Sequence, residues 1–253
     1  MTDDHALARD LAGQAGRRLL ELRAQGGDPD VLRKAGDRLS HEFLTAALAR
    51  QRPGDVVLSE EGADHPARLS ARRVWIIDPL DGTREFGEPG RADWAIHVAL
   101  WERDRGELTA GAVALPAQGR VLSTLEPPAA PPDDAPAPAR VRITVSRSRP
   151  PGFVRNIPGR LDAELVPLGS AGAKVAAVIG GEVDAYVHGG GFYEWDTAAP
   201  VAVARAAGLH ASRIDGSALA YNQADLLIPD ILVCRPGLTA LLLQAIGEVT
   251  NAP

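Results

Sequence analysis

Cysteine is almost missing from this chain of 253 residues, which holds only Cys234. A lone thiol excludes an internal disulfide and a thiolate metal cluster, and it fits a reducing compartment. Within Asp230-Ile231-Leu232-Val233-Cys234 it reads as a small core residue. Long apolar runs are missing too. None reaches the roughly 18 residues that a membrane-spanning helix needs, so no membrane partner is expected. The start, Met1-Thr2-Asp3-Asp4-His5, is acidic where a secretory leader would be basic, and a cytoplasmic protein is expected. Lysine is reduced to Lys34 and Lys174, and the net charge is −6. That balance offers no long-range attraction to a nucleic-acid polymer. A small anionic substrate is admissible only where local cations or a bound metal overcome the repulsion. The histidines at 5, 41, 65, 97, 188 and 210 show no ligand spacing and read as structural or exposed, with His188 set apart by the Gly189-Gly190-Gly191 that follows it.

What is present is a folding chain, with 45% hydrophobic and 24% charged residues. Leu7, Leu11, Leu19, Leu20 and Leu22 recur at helical spacing over 6–24, and Gly26-Gly27-Asp28-Pro29 breaks the pattern. Phe43, Leu44, Ala47 and Leu48 predict a second helix over 38–50, with Asp37 placed to cap it. Short apolar runs predict strands at 56–58, 74–77, 94–101 and 108–116, with 121–122 returning past Gln118-Gly119. Further on, strands are expected at 141–145 and 184–187, and helices at 171–179, 197–207 and 238–249. Strands alternate with helices, which is the pattern of an α/β fold. The proline-rich run 127–138 cannot build a ladder, because proline supplies no amide proton. It reads as a linker between an N-terminal lobe, 1–138, and a C-terminal lobe, 139–253.

Asp78-Pro79-Leu80-Asp81-Gly82-Thr83 follows the buried run Val74–Ile77, at a strand end where sheets present ligands. Proline stiffens the turn, and glycine lets an anion approach the backbone amides. Hard oxygen donors without histidine or cysteine favour Mg2+ or Mn2+ over Zn2+. An aspartyl-phosphate motif is excluded, since Leu80 stands where its second aspartate belongs. An EF-hand is excluded by the same leucine and by the missing closing glutamate. Taken alone, the turn reads equally as an Asx turn, Glu60-Glu61 as a solvated loop, and Asp196 as a helix cap.

Together, however, Ser59-Glu60-Glu61, the run Trp75–Thr83 and Trp195-Asp196-Thr197-Ala198-Ala199-Pro200 resemble the inositol monophosphatase superfamily of Mg2+-dependent, Li+-sensitive phosphatases, in order and spacing over nearly the whole chain. Ser146-Arg147-Ser148 and Gly169-Ser170-Ala171-Gly172-Ala173-Lys174 resemble its CysQ-like branch, which removes the 3′-phosphate of 3′-phosphoadenosine 5′-phosphate. The resemblance implies a layered α-β-α-β-α sandwich, with two or three Mg2+ ions between the lobes and Mn2+ as a substitute. Glu60, Asp78 and the carbonyl of Leu80 would hold one ion, and Asp78, Asp81 and Asp196 another. The substrate phosphate would meet the amides of Gly82 and Thr83. Thr83 and Asp37 would orient the attacking water, with Glu60 or Glu61 assisting as base. Lys34-Ala35-Gly36-Asp37 departs from the family, whose members carry threonine or alanine before the aspartate.

For the branch, Lys174 would bind the 5′-phosphate, with Ser170 and Arg147 as further substrate contacts and Phe192 or Tyr193 stacking on the base. The expected activity is hydrolysis of this nucleotide bisphosphate to AMP, clearing a by-product of sulfur assimilation, by a monomer or homodimer. Hydrolysis of inositol 1-phosphate or fructose 1,6-bisphosphate is the alternative on the same metal core. A non-catalytic, metal-stabilised binding or regulatory protein is the alternative of another class.

Overall fold

The structure, a computed structural model, describes residues 3–130 and 140–250. Most of the proline-rich run and the expected lobe boundary at 138/139 lie outside the described residues; 127–130 form neither helix nor ladder. No helix among the described residues is long and apolar enough to cross a membrane.

Two long helices lead. The first, α1 (Asp4–Ala24), is capped by Asp3, whose carboxylate accepts from the Ala6 amide at 2.7 Å. The second, α2 (Pro29–Gln51), begins at Pro29 and not near Arg38. Asp28 accepts from the amides of Asp30 and Val31, at 2.9 and 3.1 Å, and Pro29 occupies a first-turn position that needs no amide proton. Asp37 therefore lies within α2 and caps nothing.

The first sheet has the order β1 (Val56–Ser59), β2 (Arg73–Asp81), β3 (Ala95–Glu102), β4 (Glu107–Leu115), β5 (Arg120–Ser123); β1 and β2 are parallel and the rest antiparallel. A short helix, α3 (Thr83–Gly87), follows β2. The second sheet is built from β6 (Val141–Ser146), β7 (Ala163–Leu168), β8 (Ala185–Tyr193), β9 (His210–Ser212) and β10 (Leu227–Cys234), in the order β7-β6-β8-β10-β9. Three more α-helices stand among the described residues: α4 (Ala171–Ile179), α5 (Glu194–Ala206) and α6 (Thr239–Thr250).

Alternation along β2 explains the layering. Trp75 and Ile77 point one way and join Leu7, Leu11, Leu19, Leu44 and Leu48 of α1 and α2. Val74 and Ile76 point the other way, into a core shared with Val175 and Val178 of α4, Val201 and Val203 of α5, and Tyr186, Ile231 and Val233 of the second sheet. The far face of that sheet, through Ile143, Val187, Leu232 and Cys234, is covered by Val154 and Ile157 of a 3-10 turn and by Leu242 and Ile246 of α6. The result is the α-β-α-β-α sandwich. It brings the end of β2 against the starts of α4 and α5. Cys234 is buried, and burial pushes its thiol up to about 11, so it is an inert core residue.

Candidate active site

On a regular strand Asp78 and Asp81 would face opposite sides of the sheet. The pairing of β2 with β3 shifts between them, from Asp78 opposite His97 to Asp81 opposite Ala95. This bulge inserts one extra residue and turns both carboxylates to one side. Gly82 continues the turn at φ +84; a Cβ there would lie 3.2 Å from the Asp93 carbonyl and from the Ser170 Cβ, so the position requires glycine.

Asp196 joins from the first turn of α5, where its Oδ2 accepts from the Tyr193 amide at 2.7 Å. Carboxylate oxygens of Asp78, Asp81 and Asp196 all lie within 4.8 Å of one another. Glu60, just past β1, faces Asp78 closely enough to share a proton and reaches solvent at the mouth of the cleft. Crowding of this kind is unfavourable for bare carboxylates. Burial and the charges of Glu60, Asp81 and Asp196 push Asp78 well above the usual range. Burial, then Asp81, lift Asp196 to about 7; Glu60 is lifted to about 7, first by burial and then by Asp81, Glu61 and Asp37. Asp81 differs: burial raises it, but His97, Lys174 and the Ser170 hydroxyl together hold it below its ordinary value. The donors are all hard oxygens whose mutual repulsion a divalent cation removes, so these residues fit Mg2+ or Mn2+.

Beside them the Thr83 hydroxyl lies 3.0 Å from the Leu80 carbonyl and 3.3 Å from Asp37 Oδ1. Burial and the charge of exposed Glu61 raise the Asp37 carboxyl to about 6. The unusual glycine before Asp37 has a steric reason. A Cβ at Gly36 would stand 2.8 Å from the Phe86 ring and 3.0 Å from Leu80, so glycine lets α2 close onto the turn.

The three side chains assigned to substrate by resemblance have partners inside the protein. Ser170 caps α4 and donates to Asp81 Oδ2 at 2.5 Å. Lys174 is buried, with its ammonium donating to the carbonyls of Gly169 and Ser170 at 2.7 Å each. Its proton inventory goes to the loop behind the site. Arg147 donates to Glu85 at 2.6 and 3.0 Å and to Glu88 at 2.9 Å. One contributor escaped the sequence reading: His97, wholly buried, with Nε2 3.2 Å from Asp81 Oδ2 and Nδ1 3.1 Å from the Trp195 carbonyl. Only strand register places it there, and no local motif announces it. The cleft over these groups measures about 250 Å3 and is walled by Ser148, Arg149, Gly191 and Phe192. Phe192 stacks on His188 at 4.1 Å, whereas Tyr193 stacks on Trp195 at 4.9 Å.

The model of the inositol monophosphatase family matches residues 6–251. A Mycobacterium leprae protein named 3′-phosphoadenosine 5′-phosphate phosphatase is 51% identical over 255 residues, covering 97% of this chain and 94% of its own. The 3′(2′),5′-bisphosphate nucleotidase CysQ of Escherichia coli K12 is 31% identical, over 84% of this chain and 91% of its own. Among solved structures, CysQ from Bacteroides thetaiotaomicron superposes with a TM-score of 0.79 at 27% identity, covering 92% of this chain and 97% of that one. A match that runs almost end to end, with relatives at half identity along the same length, makes this chain a member of the inositol monophosphatase family.

Proposed function

We propose that this protein is a Mg2+-dependent phosphomonoesterase that hydrolyses the 3′-phosphate of 3′-phosphoadenosine 5′-phosphate, giving AMP and phosphate. The observation that carries the reading is the convergence of Asp78, Asp81 and Asp196 within 4.8 Å, in a chain 51% identical to a protein bearing that activity in its name. Glu60, Asp78 and the Leu80 carbonyl would hold one Mg2+, and Asp78, Asp81 and Asp196 a second; Mn2+ would substitute. Bound there, the ions supply positive charge for the phosphate and lower the pKa of water to give a nucleophile near neutral pH.

The chain's own groups do the rest. The amides of Gly82 and Thr83, at the start of α3, face the phosphate oxygens. The Thr83 hydroxyl, shared between Asp37 and the Leu80 carbonyl, orients the attacking water and carries its proton toward Asp37. Glu60 in the cleft and the exposed Glu61 next to it serve as further proton acceptors. Oxygen attacks phosphorus in line, the P–O3′ bond breaks, and the departing ribose oxygen takes a proton from solvent, so no covalent phosphoenzyme is required. Phe192 offers the adenine a face to stack on. A cytoplasmic site of action fits the lone, buried thiol.

Initial rates with Mg2+ on 3′-phosphoadenosine 5′-phosphate, inositol 1-phosphate and fructose 1,6-bisphosphate test the proposal. The highest kcat/KM is expected for the nucleotide. A higher value for either sugar phosphate overturns the substrate assignment, and no turnover of any of them favours a binding or regulatory protein.

A further inference from the structure

A nucleoside bisphosphate brings a second phosphate that reacts with nothing, and the carboxylates on the cleft floor repel it. A cation away from the metal centre must receive it. Lys174 and Arg147 are spent: the first on the carbonyls of Gly169 and Ser170, the second on Glu85 and Glu88. Two other arginines line the same cleft, Arg84 and Arg149. Both are exposed, and among the described residues neither guanidinium has a hydrogen-bond or ion-pair partner.

Their placement is set by the pair that excludes Arg147. Arg84 is the neighbour of Glu85 on α3, and Arg149 lies two residues beyond Arg147 in the turn that follows β6. The ion pair from Arg147 to buried Glu85 therefore ties together the two segments that carry the unpaired arginines. The turn is fixed from within as well, since the Arg149 amide donates to the Ser146 hydroxyl at 3.1 Å. Arg149 lines the same cleft as Phe192, the ring assigned to the base, which stacks on His188. Guanidinium groups suit the role, because their planar fork matches phosphate oxygens two at a time.

We infer that Arg84 and Arg149 together bind the non-reacting phosphate of the substrate and so set the preference for a bisphosphate over a monophosphate. This rests on the nucleotide reading above. The test is the ratio of kcat/KM for 3′-phosphoadenosine 5′-phosphate to that for adenosine 3′-monophosphate, in wild type, Arg84→Ala, Arg149→Ala, the double variant and Arg149→Lys. A ratio is independent of how much of each preparation is folded. Wild type is expected to favour the bisphosphate. Each alanine should reduce that preference about tenfold, through KM for the bisphosphate, and the lysine variant should restore part of it. An unchanged ratio in the double variant overturns the inference, as does a wild type that treats both adenosine substrates alike while still cleaving the 3′-phosphate. A wild type that prefers inositol 1-phosphate to both brings down the nucleotide reading itself.

Discussion

The hydroxyl of Ser170 donates to Asp81 Oδ2 at 2.5 Å, and the Gly172 amide donates to the same oxygen at 2.9 Å. The start of α4 thus fixes one oxygen of Asp81, a residue that lines the cleft. Ser170 holds this position at φ +35, a strained backbone for a residue with a side chain. Ser170→Ala should lower affinity for Mn2+ by about tenfold or more, because a partner that orients a metal ligand is lost. Losing the cap should also reduce stability by about 1 kcal/mol. Calorimetric titration with Mn2+ and a urea melt measure the two effects separately.

Gly172 lets α4 close on the first sheet. A Cβ there would lie 2.3 Å from His97 Nε2, 2.9 Å from Val113 and 3.0 Å from Ala95, all in buried surroundings. Gly172→Ala should destabilise the fold by about 1–3 kcal/mol through overpacking, despite alanine's higher helix propensity. A lower urea midpoint with an unchanged slope is the expected signature.

Beneath α5 a buried clasp links distant segments. Arg68 binds the Asp64 carboxylate and donates to Asn222 Oδ1 at 3.0 Å, while Asn222 Nδ2 returns to the Arg68 carbonyl at 3.1 Å. The amides of Asn222 and Gln223 then hold the Glu194 carboxylate at 2.6 and 2.7 Å, two residues before Asp196. Asn222 stands at φ +57. Asn222→Gly removes the side-chain bonds and keeps the backbone relaxed, and it should cost about 1–3 kcal/mol. Asn222→Ala should cost about 1 kcal/mol more from left-handed strain. Equal thermal stability of the two variants would rule out the strain contribution.

His188 donates Nε2–H to the Gly190 carbonyl at 3.0 Å, and its Nδ1 is buried without a partner. Burial, then the charges of Lys174 and Arg149, push the ring down to about 4 against the Gly190 carbonyl, which pulls it up. The unfolded chain takes this proton near 6.5, the fold only near 4. Its contribution is therefore complete above pH 6.5 and lost as pH falls toward 4, by at most about 3 kcal/mol. Urea melts of His188→Gln should show a flatter stability profile across that window; profiles parallel to wild type would remove His188 as the cause.

Much of the site was legible because its ligands sit in short segments. Asp78, Asp81, Gly82 and Thr83 fall on one turn after a β-branched run, and Asp196 opens a helix. The layered fold was legible through the same motifs, but β7, β9 and β10 were not. Pro167 interrupts the first, the second spans only His210–Ser212, and the third carries Pro229 and Asp230 within its apolar pattern. The start of α2 was misplaced because residues 29–37 offer only Val31, Leu32 and the small Ala35 as apolar markers, although Asp28-Pro29 spells a helix start. The partner of Arg147 was out of reach for another reason, whereas Lys174 turns back onto carbonyls only four and five residues before it. Glu85 is 62 residues from Arg147, and only the packing of α3 against the end of β6 brings them together. His97 depends likewise on strand register.

The most direct measurement is calorimetric titration of Mg2+ or Mn2+ into wild type, Asp81→Asn and Asp196→Asn, with circular dichroism to establish that each is folded. Carboxylates from β2 and α5 that share cations predict saturable binding to wild type and a loss of about a hundredfold or more in either variant. Unaltered affinity in both folded variants would contradict a common metal centre, and with it the proposed hydrolysis.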